Sequence, residues 1–163
     1  MIIAAKTREK AVVRPISKQR LRLWIRLLRA ARAIEAELRD RLRKEFAITL
    51  PQFDVMATLA RKEGGMSMTE LSRMLMVSNG NVTGIVDRLA NEKLVVRQAP
   101  ASDRRSYIVQ LTRKGASQFA VIAKAHECWV DDLLLDVGGT AAEALIKQLG
   151  GLTTRIRSEG ASP

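Results

Sequence analysis

The chain has 163 residues, 47% apolar and 28% charged, with one cysteine and a formal net charge of +11. This length suits one domain with an ample core, a lone cysteine excludes an internal disulfide framework and fits a reducing compartment, and no apolar run approaches the roughly 18 residues of a membrane span. The positive excess points to a polyanionic partner; Met1-Ile2-Ile3-Ala4-Ala5 lacks the charged start and long apolar stretch of a secretory signal, so a cytoplasmic protein is expected.

Residues 1–16 form a basic arm without periodicity, read either as a mobile solvated tail or as a strap for DNA backbone. A long first helix is expected over 17–46, with Leu21, Trp24, Leu27, Leu28, Ala31, Ile34, Leu38 and Leu42 recurring at spacings of three and four. Its length exceeds what one small core needs. Projected at 100° per residue, Lys18, Arg22, Arg26 and Arg29 cluster within roughly 80° on the opposite side. Such a face repels itself unless something negative lies near, so it is either a solvated surface or a site for a ligand bearing phosphates.

Thr49-Leu50-Pro51-Gln52 reads as a capped helix start with proline in the first turn; Phe53, Met56, Ala57 and Ala60 continue that helix until Gly64-Gly65. Ser67-Met68-Thr69-Glu70 is a second capping box, opening a short helix with Leu71, Met74 and Leu75 on one face. After a turn at Met76-Val77-Ser78, a further helix starts with Ser78 or Asn79 as N-cap and ends near Glu92. Val82, Ile85, Val86 and Leu89 face inward, which leaves Asn81, Thr83, Gly84, Asp87 and Arg88 outside. This small, polar face suits a major groove. Gly80 and Gly84 either allow close backbone approach to a ligand or relieve packing against a neighbouring helix, at about 1 kcal/mol each in helix propensity.

Two strands follow, at 94–97 and 106–111, joined by a loop holding Pro100, Asp103, Arg104 and Arg105. A hairpin directly behind such a helix is placed to reach the adjacent minor groove, where arginine is the favoured visitor. Asp103 is positioned to brace one arginine by a charge-assisted pair. Two helices complete the chain, from Thr112 to about Val137 (core Phe119, Ile122, Trp129, Val130, Leu133) and from Thr140 to about Arg157 (Leu145, Leu149, Leu152, Ile156), broken at Gly138-Gly139.

The order of elements from Ser67 to Gly115 is that of a winged helix-turn-helix. The run VSNGNVTGIVDRLANEKL from Val77 to Leu94, the D-x-R at Asp103 and Arg105, and the L-T-x-x-G from Leu111 to Gly115 resemble the MarR family of bacterial transcriptional regulators. The resemblance extends from about Ser17 to Arg157. It implies a mainly α fold with a small β-wing, divided into helix 17–46, a DNA-reading region 47–111 and C-terminal dimerisation helices 112–163, as well as a homodimer with interleaved first and last helices. It also implies a double-stranded operator as partner, with Ser78, Asn79, Asn81, Thr83, Arg88, Arg104 and Arg105 as DNA contacts. In that family small molecules bind between the dimerisation helices and the reading head. The chain is similar to a subgroup responding to aromatic acyl-CoA thioesters such as hydroxycinnamoyl-CoA, which makes Lys18, Arg22, Arg26 and Arg29 candidate ligand contacts; free aromatic acids are the other effector class.

Charge is unevenly spread: residues 1–46 carry 14 basic and 5 acidic side chains, 67–115 carry 8 and 4, and 116–163 carry 4 and 6. Most of the excess lies outside the reading head. No cofactor, metal set or catalytic constellation is expected, since His126 lacks companion ligands and Cys128 has no resolving partner and reads as a buried apolar thiol. The function expected is a ligand-responsive DNA-binding regulator, a repressor released from a palindromic operator. The alternatives are a sequence-tolerant architectural DNA binder and, with no paired nucleophile and base to support it, a CoA-handling enzyme.

Overall fold

The computed structural model describes residues 18–98 and 107–160. The chain divides into two compact units, one ending at Ala36 and the other beginning at Glu37. Helix α1 (Lys18–Phe46) starts in the first and ends in the second. In the first unit its apolar stripe is largely open, with Leu21 and Trp24 more than half exposed, whereas Leu38 and Leu42 of the second unit are buried. The stripe read from the sequence therefore fills a core only over its last two turns.

The second unit continues with α2 (Leu50–Ala60), β1 (Met66–Ser67), α3 (Met68–Leu75), α4 (Asn79–Asn91), β2 (Val95–Gln98), β3 (Ile108–Leu111), α5 (Arg113–Leu133) and α6 (Gly139–Gly160). Both expected capping boxes are present. Thr49 Oγ1 accepts from the Gln52 backbone N–H while the Gln52 side chain accepts from Thr49 N–H, and Ser67 and Glu70 repeat the exchange at α3. Each satisfies two amides that a helix start leaves without partners, typically contributing about 1 kcal/mol.

The three strands form an antiparallel sheet in the order β1-β3-β2. β1 is too short for sequence pattern to reveal; it pairs Met66 with Val109 and Ser67 with Ile108. Gly65, at φ +80°, makes that pairing possible, because a Cβ there would lie 2.3 Å from the Val109 carbonyl oxygen. The strands read as 94–97 and 106–111 are observed at Val95–Gln98 and Ile108–Leu111. The core gathers Phe53, Val55, Met56 and Leu59 of α2, Leu71 of α3, Val82, Val86 and Leu89 of α4, Val109 of β3 and Ile122 and Trp129 of α5. A large aliphatic side chain so buried contributes about 1.5–3 kcal/mol. Met74, expected on the inner face of α3, is instead 57% exposed.

Helix α5 ends four residues before the expected Val137. The Leu134 N–H reaches back to the carbonyls of Val130 and Asp131, tightening the last turn, and Leu134 itself leaves helical geometry with φ −107° and ψ 13°. Helix α6 begins at Gly139. Its Leu145, Ile146, Leu149, Leu152 and Ile156 are all exposed. No described helix is long and apolar enough to cross a membrane.

Candidate nucleic-acid interface

Helix α4 packs into the core by its inner face. Val82, Val86 and Leu89 are fully buried, while Asn79, Asn81, Thr83, Asp87 and Arg88 are exposed as expected. The Ser78 hydroxyl accepts from Asn81 N–H at 3.4 Å and so serves as the N-cap, and Thr83 Oγ1 donates to the Asn79 carbonyl at 2.9 Å. Both hydroxyl oxygens keep lone pairs for a further partner. A Cβ built on Gly80 or Gly84 would meet nothing within 4 Å, so neither glycine relieves packing within the described chain. The outward surface of α4 is small and polar, and at two positions it is bare backbone.

Behind α4 the hairpin base is fixed in register, Val95 opposite Leu111 and Arg97 opposite Val109. Asp103, Arg104 and Arg105 lie outside the described residues. Arg97, read from the sequence only as the end of a strand, is the charged residue the structure adds: its Nη2 lies 2.7 Å from Asp87 Oδ1 on α4. Nε and Nη2 of Arg97 are shut off from solvent and have no aligned acceptor among the described residues, so the carboxylate is what balances them. No sequence spacing links positions 87 and 97; only the packing of β2 against α4 brings them together.

The L-T-x-x-G motif has a mechanical explanation. Thr112 caps α5 by accepting from Gly115 N–H at 2.9 Å and donates its hydroxyl to the Lys93 carbonyl at 2.8 Å. Gly115 rests on the loop leaving α4, where a Cβ would fall 1.9 Å from the Leu94 carbonyl oxygen. The motif clamps the end of α4 to the start of α5.

Along α1, Arg22, Arg26 and Arg29 line one shallow recess with Ile25 and Ala30. Lys18 is exposed but does not line it. A second, more apolar pocket of about 590 Å³ lies between α2 and α5, lined by Phe53, Ala57, Arg61, Phe119 and His126 among others. The Phe53 ring stacks on His126 at 4.5 Å and tilts against Phe119 at 5.7 Å. Burial pushes the His126 pKa down and favours its neutral form. The sequence reading missed this aromatic cluster, in which Phe119 and His126 lie 66 and 73 positions from Phe53 along the chain. Cys128, read as buried, is exposed on α5, because the neighbouring Trp129 takes the inward position. Among the described residues no three His, Cys, Asp or Glu side chains converge as a metal site would require.

A profile described as the MarR family matches residues 48–107, which spans α2 to the hairpin. A MarR-family transcriptional regulator from Silicibacter pomeroyi superposes with a TM-score of 0.72 at 33% identity, covering 85% of this chain and 96% of that one. The chain belongs to the MarR family. It is thus a transcriptional regulator with a winged-helix fold, and the curated relatives it matches bear regulator names rather than enzyme names. Among them, the regulator MhqR of Bacillus subtilis is 27% identical over 73% of this chain and 81% of its own length. Across three such MarR-type relatives the chain spans 59%, 64% and 81% of their lengths. The fold is also that of the MarR-family regulator Sco3205 from Streptomyces coelicolor, solved with DNA, at TM-score 0.77 and 22% identity over 96% of this chain and 94% of that one.

Proposed function

We propose that this MarR-family chain is a homodimeric repressor that reads a palindromic operator with α4 and loses affinity when a small aromatic compound binds. The observation carrying the reading is the outward face of α4. Asn79, Asn81 and Thr83 stand exposed beside two glycines whose Cβ positions no described residue approaches within 4 Å. A helix kept so slim forfeits propensity for no internal gain, and close approach to base edges and phosphates supplies the reason. Arg88 takes a phosphate, and Arg105 enters the minor groove with Asp103 as its brace and Arg104 beside it. The fold likeness to a regulator solved with DNA supports the same docking.

The exposed apolar residues of α1 and α6 support a dimer, since Leu21, Trp24, Leu145, Leu149 and Leu152 are more than a third exposed in one chain. Burying them against a second copy sets two α4 helices one DNA turn apart.

For the effector, the pocket between α2 and α5 supports an aromatic group. Phe53, Phe119 and neutral His126 offer flat surfaces, and Arg61 on the same wall offers a cation for a carboxylate. If the effector is an acyl-CoA thioester, the Arg22, Arg26 and Arg29 face is the candidate for its phosphates. Occupancy acts only through a difference in affinity between DNA-competent and DNA-incompetent separations of the reading heads.

The test is a titration of purified protein with the duplex upstream of its own gene, followed by fluorescence anisotropy, with and without a panel of aromatic acids and their CoA thioesters. Release by a panel member supports the effector reading. Tight binding that none of them relieves removes the effector and leaves DNA reading in place.

A further inference from the structure

Projected at 100° per residue, Asp87 falls between Thr83 and Gly84, in the middle of the outward face of α4. A carboxylate there repels the phosphates that the face is meant to approach. The structure gives it a different task. Asp87 Oδ1 lies 2.7 Å from Arg97 Nη2, and Arg97 sits in β2 opposite the fully buried Val109 of β3. The pair therefore ties the surface of the reading helix to a strand whose own register is locked in the sheet. Two nitrogens of that guanidinium are closed off from water, so Arg97 is held in place and is not a side chain free to sweep the surface.

We propose that Asp87 and Arg97 are positioning residues for DNA reading, fixing the angle between α4 and the strands that carry the wing, so that both engage one operator at once. The inference rests on the assignment of α4 as the reading helix. It makes a prediction opposite in sign to simple electrostatics. Removing a negative charge from a DNA-facing surface should tighten binding if charge alone mattered. If the pair positions the wing base, the same change weakens operator binding while leaving random DNA unaffected or slightly favoured.

The experiment compares wild type with Asp87→Asn, Arg97→Lys, Arg97→Gln and the double variant Asp87→Asn/Arg97→Gln. Each is titrated with the upstream duplex and with a scrambled duplex at several salt concentrations, and thermal melting is recorded alongside. Arg97→Lys keeps the charge but loses the planar fork, so it weakens operator binding several-fold with an unchanged salt slope. Asp87→Asn weakens it roughly tenfold, again at unchanged slope, and the double variant is no weaker than the weaker single variant. Operator affinity unchanged or raised in Asp87→Asn overturns the proposal, as does a salt slope reduced by about one in Arg97→Gln, which would make Arg97 a phosphate contact. A wild type that does not distinguish the two duplexes overturns the assignment of α4 and this proposal with it.

Discussion

Gly115 shows how much of this fold turns on single atoms. Its missing Cβ lets α5 begin directly on the Leu94 carbonyl, and 1.9 Å against backbone leaves no side chain to move aside. Gly115→Ala should cost about 3 kcal/mol of stability, measured as a lowered urea midpoint at unchanged m-value. Glu70 sets a pH dependence. The Lys62 ammonium at 2.8 Å, together with the Ser67 N–H and hydroxyl, holds its carboxyl down at about 2 from an ordinary 4.5. A carboxyl depressed in the folded state stabilises fully above its unfolded pKa and loses that contribution as pH falls through the folded one. The melting-temperature gap between wild type and Glu70→Gln should therefore be constant above pH 5 and close between about 4.5 and 2. A gap independent of pH would place the stabilisation elsewhere. The capping box was legible because its four residues are contiguous. Lys62 was not legible as Glu70's partner, since the turn through Gly64 and Gly65 brings it back across eight positions.

At the scale of elements, periodicity located every helix, and caps placed the starts of α2, α3 and α4 to within a residue. It failed where neighbours decide. β1 exists only because β3 offers it a ladder, and α5 stops where its last turn tightens at Leu134, though apolar residues continue to Val137. The aromatic pocket and the Asp87–Arg97 pair are products of packing that no spacing encodes: the pocket joins α2 to α5, far apart in sequence, and the pair joins the consecutive α4 and β2. Helix α4 gives the clearest test of an element shaped for a partner. Gly84 lies in the helix interior with nothing within 4 Å of where a Cβ would stand. Gly84→Ala should therefore raise stability by about 1 kcal/mol. It should also weaken operator binding, because the added methyl stands where the duplex approaches. A variant that is more stable and binds DNA as well as wild type would show that the slimness of the face serves nothing.

For the whole molecule, the distribution of charge and the distribution of exposed apolar surface tell one story. Residues 67–115 hold 8 basic and 4 acidic side chains, while residues 1–46 hold 14 and 5, so in the proposed function general attraction to DNA and the choice of sequence fall to different parts of the chain. A protein relying only on the first would bind any duplex. In the proposed dimer a second copy covers the open apolar faces of α1 and α6, and a twofold dimer demands a site with matching symmetry. The decisive measurement is the affinity of the wild-type protein for its own upstream duplex and for a scrambled duplex of equal composition, at one salt concentration near physiological. Reading by two α4 helices predicts a preference on the order of a thousandfold or more for the upstream duplex, lost when the two half-sites are moved apart by half a helical turn. Equal affinities for the two duplexes would contradict it.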